Sequence, residues 1–187
     1  PMAGSQDFAV DPRNADLLIY LNGALVPRAE AKVSIFDAGF VLGDGVWEGI
    51  RLHRGGLLFL KAHLDRLYWG LGKIQLDLGL TPAALTAEIR KLLSANGMEH
   101  GAHLRLMVTR GEKKAVNQDP RNWLGKPTIA ITAEYKEPSA DIVTRGLSLA
   151  TSSIRCTPAE MFDMRLNSHS RLALITALLD AIKVGAD

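Results

Sequence analysis

Four glycines within residues 34–51 constrain the fold of this chain more than any other feature of its sequence. Gly39, Gly43, Gly45 and Gly49 follow one another at intervals of four, two and four residues. Glycine adopts positive φ angles easily, and it lets two backbones approach where a Cβ would collide. The run therefore predicts a segment that turns repeatedly and packs closely against other parts of the chain.

The composition excludes several classes of partner. The chain has 187 residues, of which 47% are hydrophobic, so it can bury a core. Its 22 basic and 20 acidic side chains are scattered and leave a net charge of +2, which argues against a nucleic-acid or membrane partner. No apolar run approaches the roughly 20 residues that cross a bilayer. Cys156 is the only cysteine, so we predict no disulfide, no metal site and a cytoplasmic location.

Hydrophobic periodicity predicts an α+β fold. Asn22-Gly23 lies between two short apolar runs and predicts a β-hairpin over 17–27. Apolar residues at helical spacing predict helices over 61–73, 81–97 and 172–185. Alternating or continuous apolar runs predict strands over 102–109, 126–133 and 147–152.

The strand predicted over 102–109 is apolar at its even positions. His103, Arg105 and Met107 therefore share the opposite face of that strand. Because this face carries polar side chains, we predict that it forms one wall of a ligand site.

The chain is predicted to have four parts. Residues 1–14 start with proline before methionine, which is typical of a tag remnant, and continue as a polar, flexible N-terminus. Residues 15–135 form a small N-terminal domain. The polar segment 136–140 is the predicted linker, and 141–187 begin a second domain.

The glycine run is followed by the sequence FLKAHLDRL at residues 59–67. Together they resemble the N-terminal signature of the class IV (fold type IV) pyridoxal-phosphate enzymes. This family includes branched-chain and D-amino-acid aminotransferases, R-selective amine transaminases and aminodeoxychorismate lyases. The resemblance implies a small N-terminal α/β domain and the start of a second, β-rich, cofactor-binding domain. It also implies a homodimer, and an amino acid, amine or keto acid as substrate.

Arg66 matches the arginine of the family's His-x-x-Arg-Leu motif, which binds the phosphate of pyridoxal phosphate or pyridoxamine phosphate. A planar guanidinium that donates two parallel hydrogen bonds suits a phosphate group. The alternative for Arg66 is an ion pair with a neighbouring carboxylate on the helix surface.

Glu48, Arg51 and Arg105 also match the family pattern, and the resemblance places them near the substrate. Carboxylate recognition is the task that it implies for the two arginines. For Glu48 a structural ion pair is an equally open alternative. His103 stands where branched-chain enzymes often have tyrosine, so their side-chain preference is not transferred.

Asn167 stands where the family has its cofactor-binding lysine, once residues 163–172 are aligned with the family segment. An amide can neither form the covalent imine that lysine forms nor accept a proton from the substrate. The cofactor is therefore expected to bind noncovalently, and ordinary aminotransferase chemistry is in doubt.

Three explanations of Asn167 stay open. In the first, the chain is an inactivated variant, or the alignment is misread and Lys183 serves instead of residue 167. Against Lys183, the sixteen residues that separate it from Asn167 span about 24 Å along a helix. Or the cofactor is bound noncovalently and His169 transfers the proton, because imidazole titrates near neutral pH. Or the chain is a non-catalytic homologue that binds a cofactor or a partner. An aminodeoxychorismate-type lyase is a further alternative, because its N-terminal signature is nearly the same.

The resemblance covers about residues 17–187, roughly the first three-fifths of a typical member. The family's glutamate partner for the cofactor ring and its phosphate-binding turn would follow Asp187. We therefore expect a companion chain or a continuation to complete the site, or the chain to be a fragment.

Overall fold

The computed structural model describes residue 8 and residues 10–137 and 140–187, and in this part of the chain it has six strands and five α-helices. The strands are β1 (Leu18–Leu21), β2 (Ala24–Pro27), β3 (Gly45–His53), β4 (Gly56–Leu57), β5 (Ala102–Thr109) and β6 (Thr128–Tyr135). The helices are α1 (Ala38–Leu42), α2 (Leu60–Lys73), α3 (Pro82–Ala95), α4 (Ala140–Arg145) and α5 (Leu172–Lys183).

The strands form one antiparallel sheet in the order β2-β1-β6-β5-β3-β4. Strand β5 lies at its centre, where Met107 pairs with Trp47 of β3 and with Ala130 of β6. The N-terminal hairpin joins the sheet through Tyr20, which pairs with Ile131. The predicted α+β fold class is confirmed.

Helices α2 and α3 pack on one face of this sheet. Their buried residues are Leu64, Leu67 and Leu71 of α2 and Leu85, Ile89 and Leu92 of α3. Full burial of each such side chain contributes about 1.5–3 kcal/mol, which makes this face the main stabilising core. In β5 the even residues are buried and the odd residues are partly exposed, so the predicted common face of His103, Arg105 and Met107 is confirmed.

Local signals placed two element ends correctly. The Thr81 side chain accepts a hydrogen bond from the Ala84 N–H and caps α3, as the sequence predicts. In the first hairpin the turn residues Asn22 and Gly23 both have positive φ, at 50° and 94°. These angles are the ones that a two-residue turn between antiparallel strands requires.

Two predicted strands need correction. The strand over 126–133 begins at Thr128, because Pro127 has no N–H to donate and the Lys126 carbonyl accepts from the Trp123 indole. The strand over 147–152 is wrong, since these residues follow α4 as irregular chain and Leu149 is 84% exposed. A strand needs another strand to pair with its backbone groups, and no described strand pairs with this stretch, in which Ser148 instead hydrogen-bonds with Asp187.

The described chain divides into two compact units. The sheet unit consists of Pro12–Tyr135 and Leu166–Ser170, and the helical unit contains the described residues of Lys136–Arg165 and Arg171–Asp187. Leu166–Ser170 thus belong to the sheet unit, although the sequence assigned them to the second domain.

The predicted domain boundaries stay a prediction. The predicted linker 136–140 contains residues 138 and 139, and the predicted flexible N-terminus 1–14 contains residues 1–7 and 9. Residues 1–7, 9, 138 and 139 lie outside the described residues.

In the helical unit, α5 confirms the helix predicted near the end of the sequence. Its large apolar side chains are exposed: Leu172 by 75%, Ile175 by 53%, Leu179 by 52% and Ile182 by 55%. At α4, Arg145 donates to the Asp187 carboxylate, which lowers the pKa of Asp187. None of the described helices has the length and apolar character that crossing a membrane requires.

Candidate functional site

The segment Leu166–Ser170 lies along a free edge of β3. Strand β4 covers that edge only at Leu52 and His53, so the backbone groups near Gly45 need other partners. The Trp47 N–H donates to the Asn167 carbonyl (2.9 Å), and the His169 N–H donates to the Gly45 carbonyl (3.1 Å). The segment therefore acts as one more short antiparallel strand.

The glycines of the sequence signature make room for this segment. A Cβ at Gly43 would collide with Ser170 Oγ, and a Cβ at Gly45 would lie 2.6 Å from His169 Cδ2. Real Cβ atoms do not approach other atoms so closely, so larger residues at these positions would displace the segment. The close packing predicted from the glycine run is confirmed, but the predicted repeated turning is not, because Gly45 and Gly49 both lie in the extended strand β3.

Helix α2 takes part in the same packing. A Cβ at Gly70 would lie 3.2 Å from Leu166 Cδ1. Gly70 is one helical turn beyond Arg66, so both lie on the same side of α2. The helix thus contacts the docked segment at Gly70 and carries Arg66 on the same side.

Asn167 binds both edge-facing backbone groups of Trp47. Its carbonyl accepts from the Trp47 N–H, and its side-chain Nδ2 donates to the Trp47 carbonyl at 2.6 Å. The side chain therefore extends the sheet by a hydrogen bond that the segment's backbone does not supply. It is an amide that caps a strand edge and has no basic nitrogen.

The His169 imidazole packs against the sheet. Its Nε2 is buried, and no described group forms a hydrogen bond with it. Burial lowers the pKa of His169, and the positive charge of Arg105 lowers this pKa further. Both effects favour the neutral form of the ring. The predicted acid–base role of His169 stays a prediction.

Glu48 is buried beneath α2, with 1% of its side chain exposed. The Arg66 Nε–H donates to Glu48 Oε1 (2.7 Å) and the Nη2–H donates to Oε2 (2.6 Å). His63 Nδ1 lies 2.8 Å from the same Oε2. The hydrogen bond with Glu48 raises the pKa of Arg66. Glu48 thus forms the ion pair that the sequence left open as its alternative.

The other predicted substrate residues lie on the opposite face of the sheet, which we call the open face. It is formed by Trp47, Gly49 and Arg51 of β3 and by His103, Arg105 and Met107 of β5. Arg51 pairs with His103 and Gly49 with Arg105, so both arginines and the histidine are direct neighbours.

The structure therefore separates the predicted site residues into two groups. Arg51, His103 and Arg105 share the open face, whereas Glu48 faces α2 together with Val46 and Ile50. A substrate contact by Glu48 stays a prediction, and its position favours support of Arg66 instead.

Trp47 is the site residue that the sequence reasoning missed. Its indole Nε1–H donates to the Ser168 carbonyl (3.1 Å), and the Arg105 guanidinium stacks 3.8 Å from its ring centroid. Trp47 thereby connects the docked segment to the open face. The available signal was a large aromatic residue between glycines, at a position alternating with buried residues.

Comparison with known proteins shows the family of this chain. A sequence model of the amino-transferase class IV family matches residues 45–187. A branched-chain-amino-acid aminotransferase homologue of Methanocaldococcus jannaschii is 37% identical over 169 residues, which cover 90% of this chain and 57% of the relative. The D-alanine aminotransferase of Staphylococcus haemolyticus is 33% identical over 133 residues, which cover 71% of this chain and 46% of that protein.

Solved structures show the same fold. The branched-chain aminotransferase of Thermoproteus uzoniensis with norvaline superposes with a TM-score of 0.80 at 26% identity, covering 91% of this chain and 58% of that one. A second branched-chain amino acid aminotransferase, the T.th. enzyme with pyridoxamine 5'-phosphate, has a TM-score of 0.83 at 26% identity, covering 92% and 58%. The chain thus spans about half the length of these relatives, from 46% to 58%. The family model covers most of the sequence, and we conclude that the chain belongs to the class IV aminotransferase family.

Proposed function

We propose that this chain forms part of a noncovalent pyridoxal-phosphate or pyridoxamine-phosphate site for amino-group transfer. The observation that carries the proposal is the hydrogen bond from Asn167 Nδ2 to the Trp47 carbonyl. Because of this hydrogen bond, the residue at the expected lysine position has a structural role. The residues present therefore do not fit covalent attachment at position 167.

The residues do fit the cofactor's phosphate. Glu48 binds Arg66 through Nε and Nη2 and so fixes the plane of the guanidinium. No described residue accepts a hydrogen bond from the remaining Nη1, and the Arg66 side chain is 48% exposed. Arg66 can therefore donate from a fixed orientation to a phosphate oxygen. His63, also on α2, contacts the same carboxylate and helps to hold it in place.

The open face supports an amino acid, amine or keto acid as substrate. Arg51 and Arg105 offer two guanidinium groups to a substrate carboxylate, and stacking on Trp47 orients that of Arg105. The cofactor, when bound, supplies the electron sink for the chemistry at the substrate carbon. This chain's residues would bind and orient the two ligands.

We further propose a homodimer, a cytoplasmic location, and a companion chain or continuation that completes the site. The shared length with the relatives, 57% of the Methanocaldococcus jannaschii protein, supports the need for completion. The exposed apolar side chains of α5 support a covering partner for the helical unit. Size measurement in solution by light scattering tests the dimer.

Borohydride reduction with pyridoxal phosphate, followed by peptide mass analysis, tests the noncovalent site. We expect no phosphopyridoxyl adduct on residues 160–187 of the parent chain. We expect Asn167→Lys to gain such an adduct together with a new absorbance band. An adduct on Lys183 of the parent would show that position 167 was assigned wrongly.

Calorimetric titration tests Arg66. Arg66→Ala should weaken pyridoxal-phosphate binding more than tenfold, because a charged hydrogen bond is worth about 1.5–3 kcal/mol. The matched control is Arg121→Ala, which removes an exposed arginine paired with Asp119. Circular dichroism checks that both variants fold. Equal affinity of the Arg66 variant and the parent would contradict the phosphate assignment.

A non-catalytic, cofactor- or partner-binding homologue is the second candidate. It is favoured by His169, because the Nε2 of this residue is buried and has no hydrogen-bond partner among the described residues. If the completed protein is an enzyme that uses His169, then His169→Gln abolishes turnover and preserves cofactor binding. Turnover that survives this change assigns the proton transfer elsewhere, and no turnover in the parent favours the non-catalytic function.

A further inference from the structure

The sheet unit also has a cleft, which lies at the end of β3 remote from Gly45. It has a volume of about 500 Å³. Its floor is apolar and consists of Leu52, Leu93 and Met98, which are 2%, 6% and 4% exposed. Its rim is polar and carries Arg54, Arg90, Ser94, Glu99 and His100. An apolar floor under a few polar groups is typical of small-molecule sites.

The turn that supplies Arg54 is unusual in its sequence. Arg54 and Gly55 connect β3 to β4 with φ angles of 48° and 75°. The first hairpin of the chain has nearly the same conformation at Asn22 and Gly23. This turn prefers Asn, Asp or Gly at its first position, because other residues are strained there. An arginine at this position is explained if its side chain has a task.

The neighbouring chain holds this turn in place. The Arg54 N–H donates to His100 Nδ1 (3.1 Å), and the Gly55 N–H donates to the Glu99 carbonyl (2.7 Å). His100 is also in edge contact with His53, with 4.9 Å between the ring centroids. These contacts hold Arg54 and Glu99 on the rim of one cleft.

The charges of the rim are those that complement a zwitterion. Arg54 and Arg90 can bind a carboxylate, and Glu99 can bind an ammonium group. The floor of Leu52, Leu93 and Met98 can cover a small aliphatic group. A ligand with only one charge would leave part of this rim unmatched.

We propose that this cleft binds a free α-amino acid with an aliphatic side chain, at a site separate from the open face. The carboxylate binds Arg54 and Arg90, the ammonium group binds Glu99, and the side chain lies on the apolar floor. The site does not depend on the proposed cofactor function. None of its lining residues belongs to the open face or to the group of Arg66, Glu48 and His63.

Nuclear magnetic resonance titration of the full chain with L-leucine tests the proposal. We expect saturable shifts of the Gly55 and Ser94 amide signals. 4-Methylpentanoic acid lacks the ammonium group and isoamylamine lacks the carboxylate, so each should bind this cleft at least fivefold more weakly than leucine. Absence of shifts at both amides, or shifts only at Gly49 on the open face, would overturn the proposal.

Two substitutions sharpen the test. Arg54→Asn keeps a residue that suits the turn and removes the guanidinium, and Glu99→Gln keeps the side-chain size and removes the charge. Each should weaken leucine binding at least fivefold, as measured by the dissociation constant that the Gly55 and Ser94 shifts give. The matched control is Lys91→Gln, which removes a nearby charge of α3 that does not line the cleft. Full leucine affinity in both variants would contradict the assignment.

Arg66→Ala separates this site from the cofactor site. It should weaken pyridoxal-phosphate binding more than tenfold and leave the leucine shifts of Gly55 and Ser94 unchanged. A common loss of both would show that the two sites are not independent, and would overturn the proposal.

Discussion

The two ends of strand β3 meet opposite requirements. At its first residues, Gly45 and the nearby Gly43 accommodate the chain's own segment 166–170, so backbone packs against backbone. At its last residues, the Arg54 turn borders an open cleft and presents charged side chains to solvent. The glycine signature thus specifies packing of the chain against itself, whereas a charged side chain at a strained backbone position points to a ligand.

The largest effect is expected from Gly45→Ala. The new methyl group would meet the Val108 carbonyl and the His169 ring, and neither can move away without disturbing the sheet. We expect a loss of about 3 kcal/mol in the free energy of unfolding, measured by urea titration with circular dichroism. In the control Gly72→Ala, the methyl group enters open space within α2. This control should gain about 0.5–1 kcal/mol. Equal stability of the two variants would show that the close packing at Gly45 does not require glycine.

Asn167→Ala should have the next largest effect. It removes the donor to the Trp47 carbonyl and should cost about 1–2 kcal/mol of unfolding free energy. Hydrogen exchange of the His169 amide should also become faster, because the docked segment is loosened. Asn122→Ala removes an exposed amide and should change the stability by less than about 0.5 kcal/mol. A stable Asn167 variant with slow His169 exchange would mean that the side chain does not hold the segment.

A smaller, pH-dependent effect is expected from His169. Because its pKa is lower in the folded state than the usual 6.5, the unfolded chain binds the proton first as the pH falls. The contribution of His169 to stability is therefore complete above about pH 6.5 and is lost as the pH falls towards its folded pKa. Arg105 strengthens this lowering of the pKa, whereas the backbone of Val108, the charge of Asp37 and the backbone of Val46 oppose it.

The measurement is the unfolding free energy of the parent and of His169→Gln between pH 5 and 8, as a difference that cancels the other histidines. The parent should lose more stability than the variant on acidification. Parallel curves would show that His169 titrates alike in both states.

The smallest effect belongs to the open end of β3. Arg54→Asn should raise the unfolding free energy by about 0.5–1 kcal/mol, because asparagine tolerates the left-handed turn better than arginine. Thermal unfolding followed by circular dichroism measures the gain. A loss of stability would show that Arg54 contributes to folding and would remove the turn's support for a ligand role.

Periodicity predicted β5 and α3 well, whereas β3 was not predicted although its buried and partly exposed residues alternate in the same way. Strand β5 was predicted with its ends and its polar face, and α3 with its cap at Thr81. The strand predicted at 147–152 failed because pairing depends on a partner that local sequence does not reveal.

The site was predicted less completely. The alternation of β3 already places Glu48 with Val46 and Ile50, but the motif grouped Glu48 with Arg51. Where a motif and an alternation disagree, the alternation reports which face a side chain occupies. The docking of residues 166–170 on the glycine-rich segment could not be predicted, because the contacting residues are far apart in the sequence. Trp47 and Asn167, for example, are separated by 120 positions.

This two-piece assembly of the sheet unit also sets the time at which it can form during synthesis. The hairpin β1–β2 can close early, but its place in the sheet requires β6, through the pair of Tyr20 and Ile131. The edge of β3 stays uncovered until Ser168 has been made. Long-range pairings of this kind slow folding, and an unpaired edge is exposed to other chains in the interval. The last five residues to join the sheet unit thus end the period in which the nascent chain is most vulnerable to mispairing.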